Sequence, residues 1–195
     1  MFVRPPVRID KGFFISSKPH TESDVEEIKR LGIKKVIWFG APVGPDFISD
    51  TVSAEKELLS RHGIRLEFVP YPKKFSILNY TNAFLSTLRK IRGPCLVHCV
   101  AGGSAPDVAI AYWVARGFSP SKALVKVNKK LQEAGLEPYV LLPKGKKVFP
   151  ELQKKFGKQR VRRVSHKIVS PPVDRRLVSK AGRPNPKTLV RRRLL

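Results

Sequence analysis

Three things are scarce in this sequence of 195 residues: cysteine, acidic side chains and long apolar runs. No apolar run reaches the roughly 18 residues of a membrane-spanning helix, which argues against an integral membrane protein. Residues 1–6 show neither the charged, apolar and small-residue order of a secretory signal nor the serine-rich amphipathic pattern of an organellar presequence. These absences predict a cytoplasmic location and no membrane partner.

The two cysteines, Cys95 and Cys99, lie four residues apart near the end of one predicted strand. Two cysteines so placed do not make a disulfide framework, and their neighbourhood does not supply the further ligands that zinc needs. We therefore expect no metal and no other cofactor. The alternation of a strand puts both side chains on one face, and Cys95 is expected to be a buried strand residue.

Acidic residues are few, because 39 Lys and Arg stand against 15 Asp and Glu, which gives a net charge of +24. The imbalance is uneven along the chain. Residues 158–195 hold 13 of the basic side chains and a single acid, Asp174, whereas residues 1–157 hold the other 26 against 14 acids. Such a balance predicts a polyanionic partner, with nucleic acid ahead of an acidic membrane surface.

Residues 12–134 alternate between short apolar runs and amphipathic segments, which predicts an α/β fold with a largely parallel central sheet. Hydrophobic residues make up 42% of the sequence, which is enough for a packed core. Residues 40–50 are predicted to form a loop. The predicted strands are 12–17, 34–39, 64–70 and the run ending at Cys99, and the predicted helices are 21–31, 53–62, 76–91, the segment after Ala105, and 121–134.

The segment from Cys95 to Asp107 stands out, since a strand ends in His98 and Cys99, a glycine-rich turn follows, and a helix begins. A loop at a helix N-terminus presents backbone N–H groups to an anion. With a cysteine at its start, this segment resembles the nucleophile loop of the cysteine-dependent dual-specificity and tyrosine phosphatases. The signature of that family is His-Cys, five residues, then Arg and Ser or Thr.

The resemblance to these phosphatases extends over residues 12–156. It implies a phosphatase-like three-layer domain at residues 1–157 with a central, mostly parallel sheet. The segments that carry it are the opening strand and turn at 15–19, the helix end and strand at 31–37, the strand at 64–70 that precedes the family's general-acid loop, the nucleophile strand and loop at 94–102, and the late helix at 121–134.

The sequence departs from the family at the positions that carry out catalysis. Ala105 stands where the family has its arginine, and Pro106, which has no N–H, stands where it has the hydroxyl. Asp107 adds negative charge at the helix start, and no Asp or Glu follows Val69 before it to act as the general acid. The resemblance with these departures implies a catalytically inactive protein, without a small-molecule substrate, in which Cys99 is catalytic only if some activity persists.

From about Gly157 the periodic pattern ends, and residues 158–195 are predicted to form an extended basic tail that is disordered by itself. Dispersed charge on a proline-containing segment suits contacts with RNA phosphates, and the layout is similar to that of ribosomal proteins. Ribosomal RNA and neighbouring ribosomal proteins are the expected partners. The predicted RNA-binding residues are Lys158, Arg160, Arg162, Arg163, Lys167, Arg175, Arg176, Lys180, Arg183, Lys187, Arg191, Arg192 and Arg193.

The sequence alone also allows other functions. The chain could be a cysteine phosphatase for an RNA 5′ end or a phosphoprotein, with a cation supplied by Arg65 or Arg92; Arg116 lies too far along its helix to serve easily. A regulatory inactive phosphatase that binds a phosphorylated partner is disfavoured by Ala105 and Asp107. A rhodanese-like sulfur carrier also uses a cysteine loop, but nothing beyond Cys99 favours it.

Overall fold

The computed structural model describes residues 4–40, 45–70, 76–100 and 103–165, with side chains described for 4–40, 51–70, 76–100 and 103–156. Strands and helices alternate through most of the chain. Their order is β1 (Val7–Asp10), β2 (Phe13–Ser17), α1 (Glu22–Arg30), β3 (Lys35–Gly40), α2 (Pro45–Arg61), β4 (Arg65–Pro70), α3 (Ile77–Lys90), β5 (Cys95–Cys99), α4 (Ala105–Ala115), α5 (Pro120–Glu133) and α6 (Pro143–Ser165).

The five strands form one sheet in the order β1-β2-β5-β3-β4, in which only β1 is antiparallel to its neighbour. The near-continuous apolar character of β2, β3 and β5 follows from burial on both faces. The predicted α/β fold with a largely parallel sheet is confirmed. β5 lies at the centre, so the Cys99 end of the strand has neighbours on both sides.

Two apolar layers hold the helices on the sheet. On one face, α1 and α2 cover a small cluster that includes Val25, Ile28 and Leu59. On the other face, α3, α4, α5 and α6 share a larger cluster, in which Phe84 packs between Phe39 and Phe149 with ring centroids 5.3 and 5.7 Å apart. Three layers result, as the family resemblance implied.

The start of α1 forms as its sequence predicts. The Thr21 hydroxyl accepts from the Asp24 N–H, and the Asp24 carboxylate accepts from the N–H of Thr21 and of His20 at 3.0 and 2.9 Å. This reciprocal capping box satisfies N–H groups that a helix N-terminus leaves without partners. Gly32 then ends the helix with a φ of +71°, a conformation that glycine adopts without strain.

One predicted element needs correction, and two elements were not predicted. The expected loop at 40–50 is wrong in its second part, because α2 begins at Pro45, a residue that suits the first turn of a helix. Strand β1 and helix α6 were not predicted. The expected boundary at residue 157 falls within α6, whose backbone stays helical to Ser165, since Lys, Gln and Arg favour a helix that is already started.

No helix among the described residues is both long enough and apolar enough to cross a bilayer.

Candidate functional site

Cys99 ends the central strand, and α4 begins six residues later at Ala105. The Cys99 side chain is almost buried, and the Ser104 backbone N–H lies 3.1 Å from its Sγ and donates to it. The sulfur therefore lies at the N-terminal end of α4 and accepts a backbone N–H. The strand, turn and helix start that the sequence predicted are present; residues 101–102 of the turn lie outside the described residues.

The position that should carry a guanidinium is part of the core. Ala105 is 1% exposed and belongs to the larger apolar cluster, and Pro106, also buried, has no N–H to offer. A phosphoryl group bound beside Cys99 would therefore meet neither a bidentate cation nor a hydroxyl from these two residues. The first turn of α4 keeps the shape of an anion site without its principal charge.

Asp107 directs its carboxylate into the protein. It is 3% exposed, and the Tyr139 hydroxyl donates to its Oδ1 at 2.7 Å. Burial raises the pKa of Asp107 to about 6, while the Tyr139 hydrogen bond and the charge of Lys144 act in the opposite direction. Tyr139 is itself held by Asn128, whose side chain bonds both its N–H and its carbonyl oxygen. Asp107 thus ties α4 to α5 and to the segment before α6.

A second buried acid lies close to the strand end. Glu55 of α2 and His98 have fully buried side chains, and His98 Nε2 is 2.8 Å from Glu55 Oε1, although the atoms are not aligned for a hydrogen bond. Lys18 Nζ is 3.8 Å from the other carboxylate oxygen and 5.0 Å from the Trp38 ring centroid. His98 is thus buried beside a carboxylate that the sequence analysis did not identify.

The sequence gives only weak evidence that Glu55 is buried. It lies one helical turn before Leu59, which is fully buried, so the two share the face of α2 that packs on the sheet. A glutamate in an amphipathic helix is ordinarily read as exposed, because charged side chains are seldom buried without a partner. Here His98 and Lys18 are those partners.

The three arginines considered as substitutes for the missing cation lie elsewhere. Arg65 pairs with Glu67, and the strand register places it at the level of Lys35 and Cys95. That level is four residues, roughly 13 Å, from Cys99 along the strand direction. Arg92 precedes β5 at the same remote end, and Arg116, beyond the end of α4, binds Asp10 at 2.7 Å.

Cys95 has no exposed surface, and burial raises the pKa of its thiol to about 11 despite the charge of Lys35. Both cysteines are free thiols. The prediction that Cys95 is a buried strand residue is confirmed, and its thiol is protonated and inert at neutral pH.

The predicted general-acid loop and most of the predicted tail lie outside the described residues. Strand β4 ends at Pro70, and residues 71–75, where the family has its acid, are not described. Residues 166–195 are not described either. Of the predicted RNA-binding residues, four lie on the helical backbone of α6 and the others lie beyond it; the four are Lys158, Arg160, Arg162 and Arg163.

Comparison with solved structures identifies the fold. The chain is similar to PTPMT1 (TM-score 0.59, 16% identity, covering 80% of this chain and 99% of that one) and to the kinase associated phosphatase KAP (0.57, 17%, 80% and 96%). It is also similar to a phosphatase-like protein with a DUF442 domain from Shewanella putrefaciens (0.55, 18%, 78% and 93%). The phosphatase-like fold expected from the sequence is confirmed. No protein-family model matches the sequence, and neither does any curated protein sequence.

Proposed function

We propose that this chain is a catalytically inactive, phosphatase-like RNA-binding protein, and that it is a structural component or stable associate of the ribosome. It contacts ribosomal RNA through its basic surface and its C-terminal tail. The observation that carries the proposal is a phosphatase fold whose anion loop has the buried Ala105 in place of the arginine, in a chain of net charge +24.

Inactivity follows from the chemistry of phosphoryl transfer. The thiolate of Cys99 would attack a group with two negative charges, and a guanidinium normally stabilises the charge that spreads over its oxygens. Ala105 supplies no such cation, and two carboxylates, Glu55 and Asp107, are buried near this end of the sheet. Loss of one group that stabilises a transition state commonly lowers a rate by ~10² to 10³.

RNA binding is supported by where the charge lies. Helices α1 and α2 together carry eight acidic and four basic side chains, whereas α5 and α6 carry thirteen basic and two acidic ones. An excess of basic charge on one side is the electrostatic footprint of a nucleic-acid partner. The mechanism is the release of condensed counterions when lysines and arginines neutralise phosphates, which steepens the dependence of affinity on salt.

The experiment that tests this function is co-sedimentation with ribosomes across a salt series. The full chain should migrate stoichiometrically with one subunit, and its affinity should fall with log salt at a slope near −7 to −9 if about ten tail charges engage phosphates. A chain truncated after Ser165 keeps every described helix and loses nine Lys and Arg, so it should bind more weakly with a shallower slope.

Two outcomes would contradict parts of the proposal. If the full chain stays at the top of the gradient at low salt, the proposed association with the ribosome is wrong. If the truncated chain sediments like the full one, the tail is not part of the interface. A Cys99→Ser variant is the matched control, because it alters the former nucleophile and should co-sediment unchanged.

One observation favours a second candidate, a cysteine phosphatase with a non-standard site. The Ser104 N–H donates to Cys99 Sγ, as a reactive thiolate would require. Hydrolysis of an aryl phosphate by the wild type, abolished in Cys99→Ser, would establish this candidate. We expect the two proteins to be equally inactive.

A further inference from the structure

An open cleft of about 710 Å³ lies between the edge strand β1 and helix α5. Residues 6–11 line one side, and Lys126 and Lys130 of α5 line the other with Trp113 between them. We refer to it as the β1–α5 cleft. It is separate from the Cys99 loop, because none of its lining residues belongs to that loop or to β5.

Cations at this cleft exceed the acids available to neutralise them. Asp10 accepts hydrogen bonds from Arg116 and Tyr112, both at 2.7 Å, and Glu133 pairs with Lys130 at 2.5 Å, so both acids of the lining are already engaged. The cations that remain are exposed, and in the described part of the chain none of them forms a salt bridge; they are Arg8, Lys11 and Lys126.

Aromatic rings hold Lys126 in place, and they also hold Arg116, the partner of Asp10. Lys126 Nζ lies 4.7 Å from the Trp113 ring centroid and 4.8 Å from that of Phe118. The Arg116 guanidinium carbon lies 4.3 Å from the Tyr112 ring centroid and 5.7 Å from that of Trp113. Contact with a ring face orients a cation, so less conformational freedom is lost when it binds a phosphate.

We infer that the β1–α5 cleft is the site at which the folded domain binds the sugar-phosphate backbone of RNA. The inference rests on the proposed function and assigns the part of it that belongs to the globular domain. A row of exposed cations around a half-buried indole fits the sugar-phosphate backbone, since the phosphates pair with the cations while the ring holds Lys126 in position. A flat anionic membrane would not reach into a concave cleft.

The test is fluorescence anisotropy of a labelled RNA hairpin with a single-stranded overhang, titrated with the full chain over a range of salt concentrations. The cleft variant carries Arg8→Gln, Lys11→Gln and Lys126→Gln. The matched control carries Lys29→Gln, Arg30→Gln and Lys56→Gln, which removes the same charges from exposed positions on α1 and α2. Thermal melting verifies that both variants are folded.

We expect the cleft variant to bind at least about tenfold more weakly at low salt, with a log–log salt slope shallower by about 2 to 3, one contact for each cation removed. The control should bind as the wild type does. If the cleft variant and the control bind alike while the wild type binds RNA, the cleft is not the site and the proposed function stands. If the wild type does not bind RNA at all, the inference and the proposed function both fail.

Tryptophan fluorescence reports on the cleft itself. Trp38, the other tryptophan, is 3% exposed, so quenching on addition of the unlabelled hairpin should come from Trp113. A Trp113→Phe variant keeps a ring under Lys126 and should still bind the RNA while it loses most of the quenching. Undiminished quenching in that variant, or none in the wild type when RNA is bound, would overturn the inference.

Discussion

The two faces of the sheet have similar apolar interiors, but the helices that cover them differ in charge. Each is an apolar layer covered by helices, and side chains such as Leu59 on one face and Phe149 on the other are fully buried. The helices on the two faces differ in composition, since α1 and α2 together contain eight acidic and four basic residues, whereas α5 and α6 contain thirteen basic and two acidic ones. The inner stripe of a helix determines how it packs, so its outer stripe is free to suit a partner.

At the end of the sheet that carries Cys99, by contrast, both faces contribute charge of the same sign. Each face places one acid there, Glu55 from α2 and Asp107 from α4, in a fold whose relatives include phosphatases. Negative charge therefore gathers where an anion would bind, while positive charge lies along the helices.

The largest effect that separates the two faces should come from Phe149→Ala. Phe149 joins α6 to Phe84 of α3, and its loss leaves a cavity in the larger cluster, which should lower the free energy of unfolding by about 3–5 kcal/mol. Because α6 carries nine basic residues, its loosening should also weaken RNA binding in protein that is still folded. Urea unfolding and RNA titration measure the two effects.

The matched control for Phe149→Ala is Leu59→Ala on the other face. It should lower the free energy of unfolding by about 2–5 kcal/mol and leave the RNA affinity of the folded protein unchanged. Equal losses of RNA affinity in both variants would mean that binding reports general stability, and the functional distinction between the faces would be wrong.

Asp107→Asn should stabilise the protein. The raised pKa of about 6 means that ionised Asp107 opposes folding at pH 7, and an asparagine can still accept the Tyr139 hydrogen bond without carrying charge. We expect a gain of about 1–3 kcal/mol in the free energy of unfolding at pH 7, since a pKa difference of one unit corresponds to about 1.4 kcal/mol. Thermal or urea unfolding of the variant measures it.

The pH dependence of that gain has a definite sign. Between about pH 4 and 6 the folded chain holds the Asp107 proton more tightly than the unfolded chain, so the wild type gains stability as the pH falls through this range. The advantage of Asp107→Asn should therefore shrink from pH 7 to pH 4.5. A difference that stays constant with pH would mean that Asp107 is not the group responsible.

The sequence predicted those elements whose signals are local. Apolar runs and the Thr21 cap determine the strands and α1 without reference to the rest of the chain. Strand β1 was missed because the alternation of Val7 and Ile9 with charged neighbours spans only four residues, and the strand depends on its pairing with β2, which is irregular between Arg8 and Asp10. Helix α6 was missed because a proline and a basic composition hide the buried side chains of Val148, Phe149 and Leu152.

The backbone arrangement of the site could be predicted from the sequence, but its side-chain contacts could not. The order of strand, turn and helix places Cys99 at the N-terminus of α4, and sequence alone shows that Ala105 replaces a charged residue. The contact of Glu55 with His98 joins residues far apart in the chain, so it depends on how α2 lies on the sheet. The same holds for the hydrogen bond from Tyr139 to Asp107.

Helix caps offer a smaller contrast between the faces. Thr21 caps α1 in a reciprocal box with Asp24, whereas Ser76 caps α3 by accepting one long hydrogen bond of 3.5 Å from the Asn79 N–H. Thr21→Ala should lower the free energy of unfolding by about 1 kcal/mol, and Ser76→Ala by clearly less. Urea unfolding of the two variants compares them, and a larger loss for Ser76→Ala would show that hydrogen-bond length does not rank these caps.

The smallest expected effect gives the most direct comparison. The pairs Arg30–Glu27 on α1 and Lys154–Glu151 on α6 have the same spacing and are similarly exposed, with the cations 73% and 69% accessible. Replacing either cation by alanine should change the free energy of unfolding by no more than about 0.5 kcal/mol, because water screens exposed pairs. Only Lys154→Ala should also reduce the salt slope of RNA binding, by about one unit if it contacts one phosphate. The two variants would then match in stability and differ in RNA affinity, which isolates charge position from packing. Identical RNA affinities would restrict the interface to the β1–α5 cleft and the tail and remove this part of α6 from it.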